Sequence, residues 1–314
     1  MLLLKKEPAW VFGKEVREMK KSLGEKIFDV FNVLLMIFLC IIMIYPYINQ
    51  LAIALNDGTD TMMGGITIFP RKFTWVNFEA ILTNKSVWKA AGVTAASAIC
   101  STLLTLVTCV GAAYAMTKKK MPLRNFFIWF LMIPSYISAG IIPIFILYRY
   151  LHLLNSWWVY VLPGAFVFYN TVIIRTYLSS LPPALEESAL IEGANEIQIL
   201  YKIILPLCKP ILATITLWTI VAAWNSWTPT LYYVNDSNLY TLQYVVMQLI
   251  KQSEAISKMT TEAIMTGTDM SHVKPTSEAI KSAAIICSTL PIILSYPFLQ
   301  RYFVQGVTIG AVKD

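Results

Sequence analysis

The residues from Ile27 to Ile48 form one apolar run whose only charged side chain, Asp29, stands at its edge. A run of this length matches the roughly 20 helical residues needed to cross a bilayer, and it leaves few alternatives to a membrane span. Similar runs recur at 87–116, 125–147, 157–178, 211–234 and 283–303. The composition agrees: 57% of the chain is hydrophobic and 14% charged, against about a quarter charged in soluble domains. Mean hydropathy is +0.60. Lipid offers the backbone no hydrogen-bond partners, so such runs are expected to be helical. The expected fold is all-α and integral to the membrane, with about six transmembrane helices.

The net charge of +7 does not point to nucleic acid, because the basic residues gather beside the apolar runs. Lys5, Lys6, Lys14, Arg17, Lys20, Lys21 and Lys26 precede the first span, and Lys118, Lys119, Lys120 and Arg124 separate the second from the third. Basic residues stay on the cytoplasmic side. This places segment 1–26, loop 117–124 and tail 305–314 inside, and 49–86 and 235–281 outside. Met1–Leu4 is too short for a cleaved signal, so the first span is expected to remain as an anchor. Gly92, Ala96 and Cys100, four residues apart, are expected to form a close-packing face of the second span.

Several chemistries lack their residues. No G-x-x-x-x-G-K-[ST] sequence is present to cradle nucleotide phosphates. The spans carry almost no Asp, Glu, Lys or Arg between their ends, whereas ion-coupled carriers place such residues at mid-membrane. The five cysteines form no CxxC pair, and His152 and His272 lie far apart. No metal site, catalytic cluster or cofactor bound by this chain is expected. Energy for any transport would have to come from another subunit.

The informative connection is 182–206. Pro182 and Pro183 suit the first turn of a helix, and Glu186 and Glu187 complement its dipole. Gly193 can end that helix in a left-handed conformation. A second short amphipathic helix is expected from about Glu196 to Ile204, with Pro206 at the entry to the next span. The expected object is two short helices joined at a glycine elbow on the cytoplasmic face. Its polar side carries Glu186, Glu187, Glu192 and Glu196, which anionic lipid would repel. A groove on a protein partner suits it better.

Glu187-Ser188-Ala189, two residues, Glu192-Gly193-Ala194, eight residues, then Ile203-Ile204-Leu205-Pro206 resembles the EAA loop of ABC importer permeases, E-A-A-x2-D-G-A-x8-I-x-L-P. Ser188 replaces an alanine and Glu192 an aspartate. Trp75–Phe78, Trp224-Asn225, Asn235-Asp236, Tyr240–Gln243 and Gln305–Lys313 are similar to the carbohydrate branch of that family. The closest likeness is to the smaller six-span permease of maltose-type importers, in its Lpl-type complex-oligosaccharide subgroup.

The resemblance implies a type I ABC importer permease fold: a transmembrane domain at 27–304, a coupling loop at 182–206, an outer loop at 235–281 and a tail at 305–314. It implies that Glu187, Ser188, Ala189, Glu192, Gly193, Ala194, Ile203, Leu205 and Pro206 couple the chain to a cytoplasmic ATPase. Glu187 would meet a basic residue there, and Ala189 and Ala194 would permit close approach. The tail, through Gln305, Gly306 and Gly310, would reach the ATPase interface with an irregular backbone. Tyr136, Tyr169, Asn170, Trp224, Asn225 and Trp227 are the candidates for the substrate path. The implied partners are a homologous second permease, two ATPase copies holding ATP and Mg, an extracytoplasmic solute-binding protein, and an oligosaccharide. The implied site is a bacterial cell membrane, with both termini cytoplasmic. A permease for a non-sugar solute is the alternative, and an ATP-independent secondary transporter stands behind it.

Overall fold

A computed structural model describes residues 22–61, 63–266 and 277–311. The described residues are helical throughout, apart from turns and one isolated antiparallel bridge between Asn56 and Phe73. The chain divides into two units, 1–48 and 49–314. The first holds most of α1 (Leu23–Ala54), a helix of 32 residues, or roughly 48 Å at 1.5 Å per residue. That exceeds the ~30 Å apolar thickness of a bilayer.

The second unit begins with a connection carrying α2 (Gly58–Thr61) and α3 (Val76–Leu82). Buried polar side chains fold it. Asn56 donates to Asp60 Oδ2 at 2.9 Å and accepts from the Lys72 amide at 2.8 Å. Arg71 Nε donates to Asp60 at 2.9 Å. Asn77 donates to the carbonyls of Ala54 and Asn56, each at 2.9 Å. The hydrogen bond from Asn56 and the neighbouring Arg71 guanidinium hold the Asp60 carboxyl below its usual range, against the opposing effect of burial.

α4 (Lys85–Thr117) is the central element, 33 residues without a proline. It starts at Asn84, whose side chain accepts from the Ser86 amide. Its buried face carries Thr94, Ser97, Ser101, Thr102 and Thr105 among alanines. The expected packing stripe Gly92, Ala96 and Cys100 is instead exposed in this chain. In lipid the apolar face belongs outside, and hydroxyls turn inward, where that of Thr105 finds an acceptor in the Gly164 carbonyl.

Three expected spans are interrupted. The third is split into α5 (Arg124–Ser135) and α6 (Ile141–Tyr150). The break follows Pro134 and passes through Gly140 at φ +81°. In the fourth, a 3-10 turn at Trp157–Tyr160 is separated from α7 (Phe168–Leu178) by the Pro163–Gly164 region. This break would strand carbonyls in lipid, and α4 satisfies them. Thr105 Oγ1 donates to the Gly164 carbonyl at 2.7 Å, Thr108 Oγ1 to that of Ala165, and Cys109 Sγ lies 3.5 Å from that of Val167.

The connection after α7 holds α8 (Ala184–Ile191), α9 (Glu196–Ile199), a π turn at Leu200–Ile204 and the short α10 (Leu205–Leu207). The expected fifth span comprises α11 (Lys209–Trp224) and, beyond a break at Asn225–Trp227, α12 (Thr228–Tyr233). α13 (Leu242–Thr266) gives the segment expected as an outer loop a helix of 25 residues. α14 (Ser277–Ala311) covers the expected sixth span with Pro291 and Pro297 inside it. Its helical backbone runs on through Gln305, Gly306 and Gly310, where an irregular tail was expected; 312–314 lie outside the described residues.

Among the described residues, α1, α4 and Glu278–Ser295 of α14 are each long and apolar enough to cross a membrane. A fourth crossing follows if Glu196–Leu207 and Lys209–Trp224, bent by 80°, form one span.

Candidate functional site

The elbow at 182–206 is built by two caps. α8 ends at Glu192, and Gly193 follows at φ +83°, which side chains with a Cβ rarely adopt. The Gly193 amide donates to the Leu190 carbonyl and the Ala194 amide to the Ala189 carbonyl, both at 3.0 Å. This paired pattern is the Schellman motif. The second arm opens on a reciprocal capping box: Asn195 Oδ1 accepts from the Gln198 amide at 2.8 Å, and Gln198 Oε1 accepts from the Asn195 amide at 3.0 Å. Asn195 and Gln198 were not among the expected site residues, although the N-x-x-Q spacing announces them.

One face of the elbow is mounted on the membrane helices. Ala189, Ile199 and Ile204 are buried in a cluster with Cys109, Val110, Ala113 and Tyr114 of α4 and Ile174 and Leu178 of α7. Ala194, Ile203 and Leu205 pack against its edge. Ala189, buried, and Ala194, half-buried, therefore permit close approach to this chain's own spans. The mount has a polar part as well. Lys118, one residue past the end of α4, places Nζ 2.5 Å from Glu186 Oε2 and 2.9 Å from Glu196 Oε2. Tyr114 OH donates to Glu196 Oε2 at 2.7 Å, and the ammonium lies 4.2 Å from the Tyr114 ring centroid.

These contacts divide the four acids. Glu186 and Glu196, one on each arm, turn onto Lys118. Glu187 and Glu192 stay exposed. Burial opposes the Lys118 charge, but hydrogen bonds to Glu186, Tyr114 and Glu196 outweigh it and hold the ammonium above the ordinary lysine range. The bonds from Lys118 and then Tyr114 hold the Glu196 carboxyl below its usual range. Sequence reasoning read Lys118 only as an orientation signal; no local pattern could link it to carboxylates so far along the chain.

The outward face combines those two free acids with apolar side chains. Ile191 is 87% exposed and Ile197 68%, with Tyr201 and Leu190 beside them. Ser188 and Pro206 are also exposed. The two short arms are thus fixed behind and leave apolar side chains exposed in front.

The substrate-path candidates scatter. Asn170, 8% exposed, lines a cavity of about 350 Å3 together with Ser97, Ser101, Thr105, Tyr160 and Trp218. Tyr169 stacks beside Trp218 with centroids 6.4 Å apart. Trp218 was not foreseen, because an aromatic inside an apolar run carries no distinguishing signal. Trp224 instead donates Nε1 to the Ser288 carbonyl at 3.0 Å, tying α11 to α14. Asn225 donates back to Val221 at the end of α11, Trp227 precedes α12, and Tyr136 is exposed at the break after α5.

A helical membrane domain with an elbow packed on its long helices is the architecture of a transporter permease. The chain belongs to the family of binding-protein-dependent transport system inner membrane components, whose sequence pattern matches residues 105–309. It is 32% identical to protein LplC of Bacillus subtilis, covering 95% of this chain and 99% of LplC. The Bacillus subtilis polygalacturonan/rhamnogalacturonan transport system permease YtcP is 27% identical over 92% of this chain and 99% of its own. Among solved structures, a chain of a bacterial ABC transporter involved in the import of the acidic polysaccharide alginate superposes with a TM-score of 0.78. That chain is 27% identical and is covered to 99%, against 90% of this one.

Proposed function

We propose that this chain is the permease through which an ABC importer moves an oligosaccharide into a bacterial cell by alternating access. It would work beside a homologous second permease, with two cytoplasmic ATPase copies that hold ATP and Mg, and with an extracytoplasmic solute-binding protein. The chain itself would perform no catalysis, and both its termini would lie inside. The observation that carries the reading is the elbow, whose two capped arms are fixed to α4 and α7 behind and present Ile191, Ile197, Tyr201, Glu187 and Glu192 in front. ATPase closure would push on that face. The tail at Gln305, Gly306 and Gly310 would approach the same partner as a helix.

The carbohydrate part of the proposal rests on the relatives and on chemistry. YtcP is named for a pectic polysaccharide and the solved transporter for alginate. The cavity at Asn170 is lined by hydroxyls, an amide and aromatic rings, and no charged side chain is among its lining residues. Such a surface suits a sugar ring better than a phosphate or an amino acid zwitterion.

The test is co-expression with the second permease and the ATPase, followed by purification through a tag on this chain. Serine at Ile191, Ile197 and Tyr201 together should release the ATPase while the permease pair stays assembled. Full retention of the ATPase by this triple variant would refute the docking reading.

A further inference from the structure

α4 touches both ends of the transport problem. At its cytoplasmic end, Lys118 holds Glu186 on one arm of the elbow and Glu196 on the other, and Tyr114 reinforces the second contact. At its outer end, the Leu242 amide at the start of α13 donates to Thr94 Oγ1 at 2.8 Å, and Lys89 Nζ donates to Asn238 Oδ1 at 2.6 Å. Thr94 is fully buried, and Thr241 beside Leu242 continues the network to Thr230 and Tyr160. Between these ends α4 contains no proline. Its 33 residues make a rod of roughly 50 Å.

We propose that α4 is the mechanical link between the elbow and the outer segment 237–246, with Lys118 as its lower pin and Thr94 as its upper joint. The reasoning follows from stiffness. α8 and α9 are too short to be stable on their own, and Gly193 sits at the bend, so a load on the elbow could be absorbed by rotation about that residue. One ammonium bound to an acid on each arm opposes this, because the arms cannot separate without breaking a contact to Lys118. Load on either arm then passes to α4. The helix delivers it to the Leu242 amide, where α13 starts. Lys118 acts through the two glutamates and is a positioning residue; it need touch neither ATPase nor sugar. By linkage, the coupling runs both ways, so occupation of the outer face would bias the elbow equally.

This inference rests on the reading of the elbow as the ATPase dock, and the experiment separates the two. Hydrogen exchange would be followed by mass spectrometry in the whole importer, both permeases with ATPase and binding protein, with and without ATP, Mg and vanadate. In the wild type, peptides covering 186–199 and 237–246 should both change protection on trapping. Lys118→Gln should keep the change at 186–199 and lose that at 237–246; Lys118→Arg should restore it, because the cation is kept. Thr94→Val, which leaves the elbow untouched, should give the same separation and covers the case in which Lys118→Gln fails to assemble. A wild type with no change at 186–199 would remove the docking reading itself. A response at 186–199 without one at 237–246 in the wild type, or a full outer response in Thr94→Val, would overturn the rod.

Discussion

The amide of Ala194 reaches back across Gly193 to the carbonyl of Ala189 at 3.0 Å and closes the first arm of the elbow where the chain turns into the second. This bond exists only because Gly193 holds φ +83°. A Cβ there would meet no neighbouring atom within 4 Å, so a substitution acts through backbone strain and not through a clash. Left-handed backbone costs a residue with a Cβ about 1–2 kcal/mol. Gly193→Ala should therefore weaken the elbow modestly, and Gly193→Val should weaken it more because it is β-branched. In the reconstituted importer, uptake per ATP hydrolysed should fall in the order wild type, alanine, valine. Equal coupling in all three would show that the turn is irrelevant.

The capping box makes a second, smaller prediction. Asn195→Ala removes the acceptor for the Gln198 amide and should cost about 1 kcal/mol of local stability. Faster amide exchange at 196–199, with 184–191 unaffected, is the expected signature.

The Lys118 clamp has a defined pH window. Glu196 is held below the ordinary carboxylate value of about 4.3. Its contribution is therefore present above that value and is lost as pH falls through the lowered folded one. Lys118 is held above the ordinary lysine value of about 10.4. Its contribution is complete below that value and is lost as pH rises through the raised one. The clamp should be intact and flat from roughly pH 5 to 10. Thermal unfolding of wild type and Glu196→Gln should differ by a constant amount across pH 5.5–9, and the gap should close as pH falls below about 4. A gap that widens on acidification would contradict the ionic account.

Thr105 and Thr108 predict an effect confined to the broken fourth span. Replacing both by valine leaves the carbonyls of Gly164 and Ala165 without their side-chain donors at membrane depth. Polar contacts of this kind are worth about 0.6 kcal/mol on average and up to ~1.7, so the pair should cost about 1–2 kcal/mol. Unfolding of the purified permease in detergent would report it. Thr176→Val, whose exposed hydroxyl bonds only its own helix at Val172, is the control and should be neutral.

The elbow was legible from sequence because its determinants are local: prolines before it, a glycine after an amphipathic turn, and fixed spacing to Pro206. Helical membrane character was legible from the apolar runs. Breaks within those runs were less so, since hydropathy averages over Gly140 and Gly164 without registering the turn. The buried face of α4 was not legible, for a physical reason. Small residues at four-residue spacing looked like the packing stripe, yet Thr94, Ser97, Ser101 and Thr105 face inward because hydroxyls need acceptors that lipid lacks. Long-range partners were invisible: Lys118 lies 68 residues from Glu186, and Tyr114 lies 82 from Glu196. Trp224 illustrates the same limit, since nothing local announces its tie to Ser288.

The central claim, that the outward face of the elbow meets the ATPase, is tested most directly by photocrosslinking from two positions two residues apart. Ile197 is 68% exposed and Ile199 is fully buried against α4 and α7. A benzophenone amino acid at Ile197 of the assembled importer should form an adduct with the ATPase, and one at Ile199 should react only within this chain. Adducts from Ile199 in place of Ile197, or an ATPase adduct from neither, would contradict the account.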